Sequence, residues 1–138
     1  MKNFSIFLFV FSLCMFDHVS SSGFKITNEL KSNKLLRIGC YSKDDIFGPK
    51  TIPIGQHVEI NFTINFWHTT RFMCNLEQGP NYKHYQKFTA YKVSGFIVEE
   101  GIWDWRARED GIYLDKESGK HIGKSINLHK MYDWLNYV

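Results

Sequence analysis

The sequence predicts a single all-β domain, an antiparallel β-sandwich of about seven to eight short strands. The segment 57–66 alternates strictly between polar and apolar residues, which places successive side chains on opposite faces of a strand. Aromatic residues make up 17% of the chain and are enriched in strands. Turn signals recur roughly every 8–12 residues, a spacing typical of short strands in a sandwich or barrel.

The first 22 residues have the composition of a secretory signal peptide. Lys2 forms a short basic region, an apolar run covers 4–16, and small residues occupy 20–23. The apolar run is shorter than the roughly 20 residues that a transmembrane helix needs, which disfavours membrane insertion. We therefore expect cleavage after Ser21 or Ser22 and a folded domain over 23–138.

The predicted strands follow one another along the mature segment. They cover 24–28, 35–41, 57–66, 71–76, 85–93, 102–106 and 111–115. Glycine, proline, asparagine or aspartate punctuates the connections, as expected for turns. In the C-terminal tail the apolar residues instead follow helical spacing. These are Leu128, Met131, Tyr132 and Leu135.

Two cysteines remain in the mature segment, because Cys14 is removed with the signal peptide. Cys40 and Cys74 each share a strand face with apolar neighbours, so both point toward the predicted core. An even pair of cysteines in an oxidising compartment forms a disulfide by default. We expect a Cys40–Cys74 bridge that crosses the core; the alternative is a pair of buried free thiols.

Asn61 begins the sequence Asn-Phe-Thr, a motif for N-glycosylation. The alternation in 57–66 places Asn61 on the polar side of its strand, where the glycosylation machinery has access. We expect one N-glycan at Asn61.

Catalytic and metal-binding motifs are absent from the sequence. It contains no G-x-S-x-G, no H-E-x-x-H, no phosphate-binding glycine loop and no EF-hand pattern. Its six histidines are spread out without ligand spacing. The formal net charge is +3 with scattered basic residues, which does not favour nucleic-acid binding. We expect a protein that is not an enzyme and needs no metal or cofactor.

The segment 103–108 (WDWRAR) combines two tryptophans with three charged residues. As a strand, it places the tryptophans on one face and the charged residues on the other. Packing of the tryptophans in the core is the favoured interpretation. The alternative is an exposed recognition patch, since Trp and Arg are enriched at interfaces.

Several short motifs occur in a specific order. They are ITNEL at 26–30, LRIGCYSKDD at 36–45 with Gly48, IG at 54–55, RFMC at 71–74 and DGIY at 110–113. Together they resemble the plant self-incompatibility protein S1 family, also called S-protein homologues. Many members carry a second cysteine pair shortly before the D-G-Y segment, and this chain has no cysteine there.

The resemblance implies a secreted β-sandwich that acts as a recognition ligand, with a cell-surface receptor protein as its partner. The founding members act in pollen–pistil recognition. Because loops on a rigid scaffold often carry recognition, we expect partner contacts in the loops 44–50 and 78–83. The candidates are Asp44, Asp45, Lys50, Asn81, Tyr82 and Lys83.

Two other classes of function stay open. The first is a secreted carbohydrate- or cell-wall-binding module that uses Trp67, Trp103 or Trp105 as a stacking platform. The second is a secreted hydrolase or toxin-like enzyme, which requires a convergent cluster of titratable side chains.

Overall fold

The computed structural model describes residues 22–61, 70–93, 101–115 and 127–138. The strands in these segments are β1 Ser22–Glu29, β2 Leu36–Tyr41, β3 Ile46–Ile52, β4 His57–Asn61, β5 Thr70–Gln78, β6 His84–Val93, β7 Gly101–Arg108, β8 Gly111–Asp115, β9 His129–Tyr132 and β10 Leu135–Asn136. Within these segments we find no helix with the length and apolarity needed to span a membrane.

The ten strands form two five-stranded sheets. Sheet A has the order β4-β1-β7-β8-β9, and sheet B has the order β10-β6-β5-β2-β3. The predicted all-β sandwich is confirmed, with more strands than expected. One neighbouring pair, β1 and β7, is parallel, which is possible because the chain passes through sheet B between them.

Aromatic side chains join the two sheets in the core. The ring of Phe24 on β1 lies 5.6 Å from that of Phe72 on β5, and the ring of Phe88 on β6 lies 4.4 Å from that of Trp105 on β7. Trp105 is 1% exposed and its Nε1 donates a hydrogen bond to the carbonyl of Ala90 at 2.9 Å. The core interpretation of this tryptophan is therefore confirmed.

A disulfide joins Cys40 on β2 to Cys74 on β5. The two residues are direct cross-strand neighbours with Cα atoms 4.1 Å apart. Both sulfurs face the core, as expected, but the expectation of a core-crossing bridge is wrong because both strands belong to sheet B. The alternation of residues along a strand predicts which face a side chain lies on, but it does not predict which strand is the neighbour.

The segment 44–50, expected as a loop, contains most of β3. Gly48 and Pro49 suggested a turn, yet β3 lies at the edge of sheet B and, among the described strands, pairs only with β2. An edge strand tolerates proline because one side of its backbone needs no sheet partner. Lys50 consequently lies in a strand, opposite Ile38.

The C-terminal tail forms β9 and β10 instead of the helix that its spacing suggested. β9 pairs with β8 in sheet A and β10 pairs with β6 in sheet B. Hydrogen bonds offered by two open sheet edges outweigh the helical spacing, and Met131 and Leu135 remain about half exposed. The tail thus connects the two sheets along one side.

The directions of the strands bring five connections to one end of the sandwich, which we call the hairpin end. These connections are 30–35, 53–56, 79–83, 109–110 and 133–134. The opposite end carries the turn 42–45 and Asn61, the last residue of β4.

Candidate recognition site at the hairpin end

Asn28 holds together the connections around β1 at the hairpin end. Its side chain is fully buried, and its Nδ2 donates to the carbonyls of Lys34 and Ile52, both at 3.0 Å. Its Oδ1 accepts from the backbone N–H of Leu30 at 2.9 Å. The amide of one side chain therefore satisfies three backbone groups, two in the connection 30–35 and one at the end of β3, which fixes their positions.

An open cleft of about 370 Å³ lies at the hairpin end. The side chains that line it are Lys34, Gln78, His84, Glu109, Asp110, Asp133, Trp134 and Asn136. The connections 109–110 and 133–134 border β8 and β9 of sheet A, whereas Gln78 and His84 belong to sheet B. The cleft is thus built from both sheets.

Glu109 is held in place from two sides. Its Oε2 lies 2.8 Å from Nζ of Lys34, and its Oε1 accepts from the backbone N–H of Lys31 at 2.8 Å. The hydrogen bond from Lys34 is the main reason that the pKa of Glu109 lies below its ordinary value. Gln78, only 3% exposed, accepts a longer hydrogen bond of 3.4 Å from the same Lys34.

Two further carboxylates give the cleft an acidic character. Asp110 accepts a 2.6 Å hydrogen bond from the hydroxyl of Tyr113, which lowers the pKa of Asp110 and raises that of Tyr113. Asp133 pairs with Lys130 at 2.6 Å, and its side chain is 78% exposed. Between them Trp134 donates its Nε1 to the carbonyl of Arg108 at 2.7 Å.

The predicted contact residues Asn81, Tyr82 and Lys83 lie in the turn that precedes β6, beside the cleft. The Oδ1 of Asn81 accepts from the backbone N–H of Lys83 at 3.1 Å, which fixes the turn. The guanidinium of Arg37 lies 4.0 Å from the ring centroid of Tyr82. The side chains of Asn81 and Lys83 are exposed.

The other predicted contact residues lie elsewhere. Asp44 and Asp45 are exposed in the turn 42–45 at the opposite end, and Lys50 is exposed on the edge strand β3. The six candidates therefore do not form one surface. Asn61 is also exposed at the opposite end, which agrees with a glycan there, although glycosylation stays a prediction. Thr63 and Trp67 lie outside the described residues.

The cleft itself was missed by reasoning from the sequence. Its residues come from five segments between Lys34 and Asn136, so no local motif marks it. The Asp110-Gly111 turn was recognised as a turn only, and no strand was predicted in the tail that supplies Trp134, because its apolar residues follow helical spacing. Its position follows from the pairing of β10 with β6, which local spacing does not encode.

Within the segments that the structure describes, two other kinds of site find little support: a metal site and a carbohydrate-binding tryptophan. No group of three or more His, Cys, Asp or Glu side chains is placed there to hold a metal ion. Trp105 is buried and Trp103 is partly buried against Tyr91, with ring centroids 5.2 Å apart. Trp105 is therefore not available as a carbohydrate-stacking platform.

Comparisons with known proteins agree with this architecture. Residues 23–134 match the family model of plant self-incompatibility protein S1. S-protein homolog 16 of Arabidopsis thaliana is 61% identical over 137 residues, covering 99% of this chain and 100% of that protein. S-protein homolog 17 of the same plant is 62% identical over 136 residues, with 99% and 100% covered.

A solved structure has a similar fold. It is described as that of SPH (Self-Incompatibility Protein Homologue) proteins, a widespread family of small, highly stable, secreted proteins from plants. The match has a TM-score of 0.60 at 22% sequence identity and covers 81% of this chain and 92% of that one.

Proposed function

Because the chain belongs to the plant self-incompatibility protein S1 family, a family of small secreted plant proteins, we propose that it is a secreted, non-enzymatic ligand. A cell-surface receptor binds it at the hairpin end, through the cleft and the adjacent turn 79–83. Pollen–pistil recognition is one setting in which such a ligand acts.

The observation that carries this proposal is the preorganised cleft. Its charged groups are already held before any partner arrives: Glu109 by Lys34 at 2.8 Å, and Asp133 by Lys130 at 2.6 Å. A partner that binds such a surface loses less free energy to side-chain ordering. Beneath the cleft, Asn28 and the core fix the backbone of the connections.

The predicted glycan supports the hairpin end over the opposite end as the contact surface. A glycan on Asn61 would cover part of the end that also carries Asp44 and Asp45. β4 runs between the two ends, so the hairpin end stays open to a protein partner. The turn that contains Lys83 lies on this open end.

The test is saturable binding of labelled, purified protein to plant membrane preparations that include reproductive tissue. Lys83→Ala combined with Asp133→Ala removes two exposed charges of opposite sign at the hairpin end. The matched variant combines Asp44→Ala with Asp45→Ala at the opposite end. We expect the first variant to lose at least about tenfold in affinity, since truncating interface charges changes binding by this order, and the second to bind like the wild type.

Absence of saturable binding by the wild-type protein in every preparation would refute the ligand proposal. If only the Asp44/Asp45 variant lost binding, the receptor contact would lie at the opposite end of the sandwich. Circular dichroism spectra and unfolding midpoints of all variants establish that folding is unchanged, as expected for exposed side chains.

A further inference from the structure

The outward face of sheet B carries cations for which the part of the chain that the structure describes provides no acidic partner. Arg71, Lys87 and Lys92 are exposed on β5 and β6, and Arg71 and Lys92 are direct cross-strand neighbours. Among the described residues none of the three forms an ion pair. The hydroxyl of Thr89 accepts from Arg71 at 3.1 Å and holds its guanidinium on the sheet. We call Arg71, Lys87 and Lys92 the basic face.

Several cations elsewhere on the two sheets pair with carboxylates, including Arg37 with Glu77 at 2.9 Å on sheet B. Arg106 pairs with Asp104 at 3.1 Å and with Glu29 at 2.9 Å, while Arg108 pairs with Glu29 at 2.7 Å. Lys25 lies 4.0 Å from Asp104. These charges stabilise the fold, whereas like charges placed opposite each other on the basic face destabilise their strand pair. An external anion would relieve that repulsion.

An exposed ring and an open floor lie beside the basic face. Tyr41 is 55% exposed and is the cross-strand neighbour of Met73 on β5. Two residues before it, Gly39 presents no side chain, and a Cβ built there would meet, among the described residues, only the Cα of Pro49 at 4.0 Å. An aromatic ring next to a shallow, unfilled floor suits a flat ring-shaped ligand, because aromatic faces pack well against apolar C–H surfaces.

We propose that the outward face of sheet B binds a linear carboxylated polysaccharide, a polyuronate. Sugar rings pack on Tyr41, and successive carboxylates contact Arg71, Lys87 and Lys92 in charge-assisted hydrogen bonds. The three cations are spread along two strands and do not converge on one point, which matches charge repeated along a polymer. This surface is separate from the hairpin end, so the inference stands apart from the proposed receptor contact.

The test is a titration of the purified, folded protein with polygalacturonate at low and at physiological salt. Arg71→Gln/Lys87→Gln/Lys92→Gln is expected to weaken binding by at least about tenfold and to flatten its salt dependence. Tyr41→Ser is expected to weaken binding while leaving the salt dependence unchanged. The matched control Lys31→Gln/Lys50→Gln/Lys83→Gln removes the same charge at other exposed positions and is expected to bind like the wild type.

Two further probes distinguish a polyuronate from an uncharged polysaccharide and from an anionic membrane surface. Fully methyl-esterified polygalacturonate keeps the sugar ring and removes the charge, and vesicles rich in phosphatidylserine keep the charge and remove the ring. Weak binding to both supports the proposal. Equal loss in the control variant, or binding to the vesicles as tight as to polygalacturonate, would overturn it.

Discussion

At the scale of single residues, the hydrogen bonds of Asn28 explain why the motif ITNEL at 26–30 has a polar residue between two apolar core residues. Ile26 and Leu30 are buried in the core. The polar Asn28 can be buried between them because its amide satisfies backbone groups of the connection 30–35 and of the end of β3. The sequence identified the motif by resemblance only. The role of its asparagine depends on carbonyls 6 and 24 residues away, which spacing along the chain does not reveal.

Replacing this asparagine tests that role. Asn28→Ala leaves the carbonyls of Lys34 and Ile52 without their buried donor, so we expect the free energy of unfolding to fall by about 3 kcal/mol. Asn81→Ala is the matched control, because Asn81 also accepts from a backbone N–H but is exposed. Denaturant unfolding should give a loss below about 1 kcal/mol for the control. Equal losses would contradict the assigned role of Asn28.

Glu29 gives the stability a predictable dependence on pH. Partial burial acts to raise the pKa of Glu29, but hydrogen bonds from Arg108 and Arg106 and their charges outweigh it and hold the pKa below 4.5. A depressed folded-state pKa contributes stability that is present above the unfolded-state pKa. That contribution is lost as the pH falls from about 4.5 through the folded-state pKa.

We therefore expect Glu29→Gln to be less stable than the wild type at neutral pH, with a difference that shrinks as the pH falls below 4.5. Unfolding midpoints measured across this range give the difference directly. Glu59→Gln on β4 is the control, since Glu59 is exposed and forms no ion pair among the described residues. A Glu29→Gln difference that is constant with pH would refute the linkage.

At the scale of strands, the disulfide reinforces one sheet. Cys40 and Cys74 lie 34 residues apart in the chain, and on the chain-entropy estimate the closed loop stabilises the fold by roughly 3.5–4 kcal/mol. We expect Cys40→Ala/Cys74→Ala to lose about this amount, or more because both side chains are buried. Denaturant unfolding of the double variant measures it, and a loss under about 1 kcal/mol would contradict the estimate.

The edge strand β3 depends on a glycine. Gly48 has φ 82°, and a Cβ there would lie 2.5 Å from the carbonyl oxygen of Ile38 on β2. Gly55 has nearly the same φ, 85°, but a Cβ there would meet no atom of the described segments within 4 Å. We expect Gly55→Ala to cost about 1 kcal/mol for backbone conformation alone, and Gly48→Ala to cost clearly more. Equal unfolding free energies for the two variants would refute the close approach of β3 to β2.

Buried strands were easier to predict from the sequence than strands at the edges of the sheets. β8 Gly111–Asp115 was predicted with its observed bounds, because a turn precedes it and nearly all of its residues are buried. β3 was missed because Gly48 and Pro49 resemble a turn, and the tail was missed because its strands owe their formation to open edges of β8 and β6. Pairing with a distant edge leaves no periodic signal in a strand of two residues.

At the scale of the whole molecule, the sandwich separates its surfaces by chemistry. The hairpin end has an acidic cleft that includes Glu109 and Asp133. The outward face of sheet B carries cations such as Lys87 that form no ion pair with any described residue. The sequence predicted the loop 78–83 for partner contact but could not show that Asp44, predicted for the same role, lies at the other end of the molecule. The charges are scattered along the sequence, and their separation into an acidic and a basic surface arises from the strand order.

One measurement, the intact mass of the secreted protein, tests the predicted cleavage site, the N-glycan and the disulfide together. β1 begins at Ser22, and Gly23 pairs with Asn61, so cleavage after Ser21 or Ser22 would leave this pairing in place. We expect the intact mass of the secreted protein to correspond to a chain starting at residue 22 or 23 with one N-glycan. Enzymatic deglycosylation or Asn61→Gln should remove the glycan mass, and reduction should add the mass of two hydrogens. Cleavage within β1 would contradict the predicted domain start, because the paired strand would lose residues that hold the end of β4.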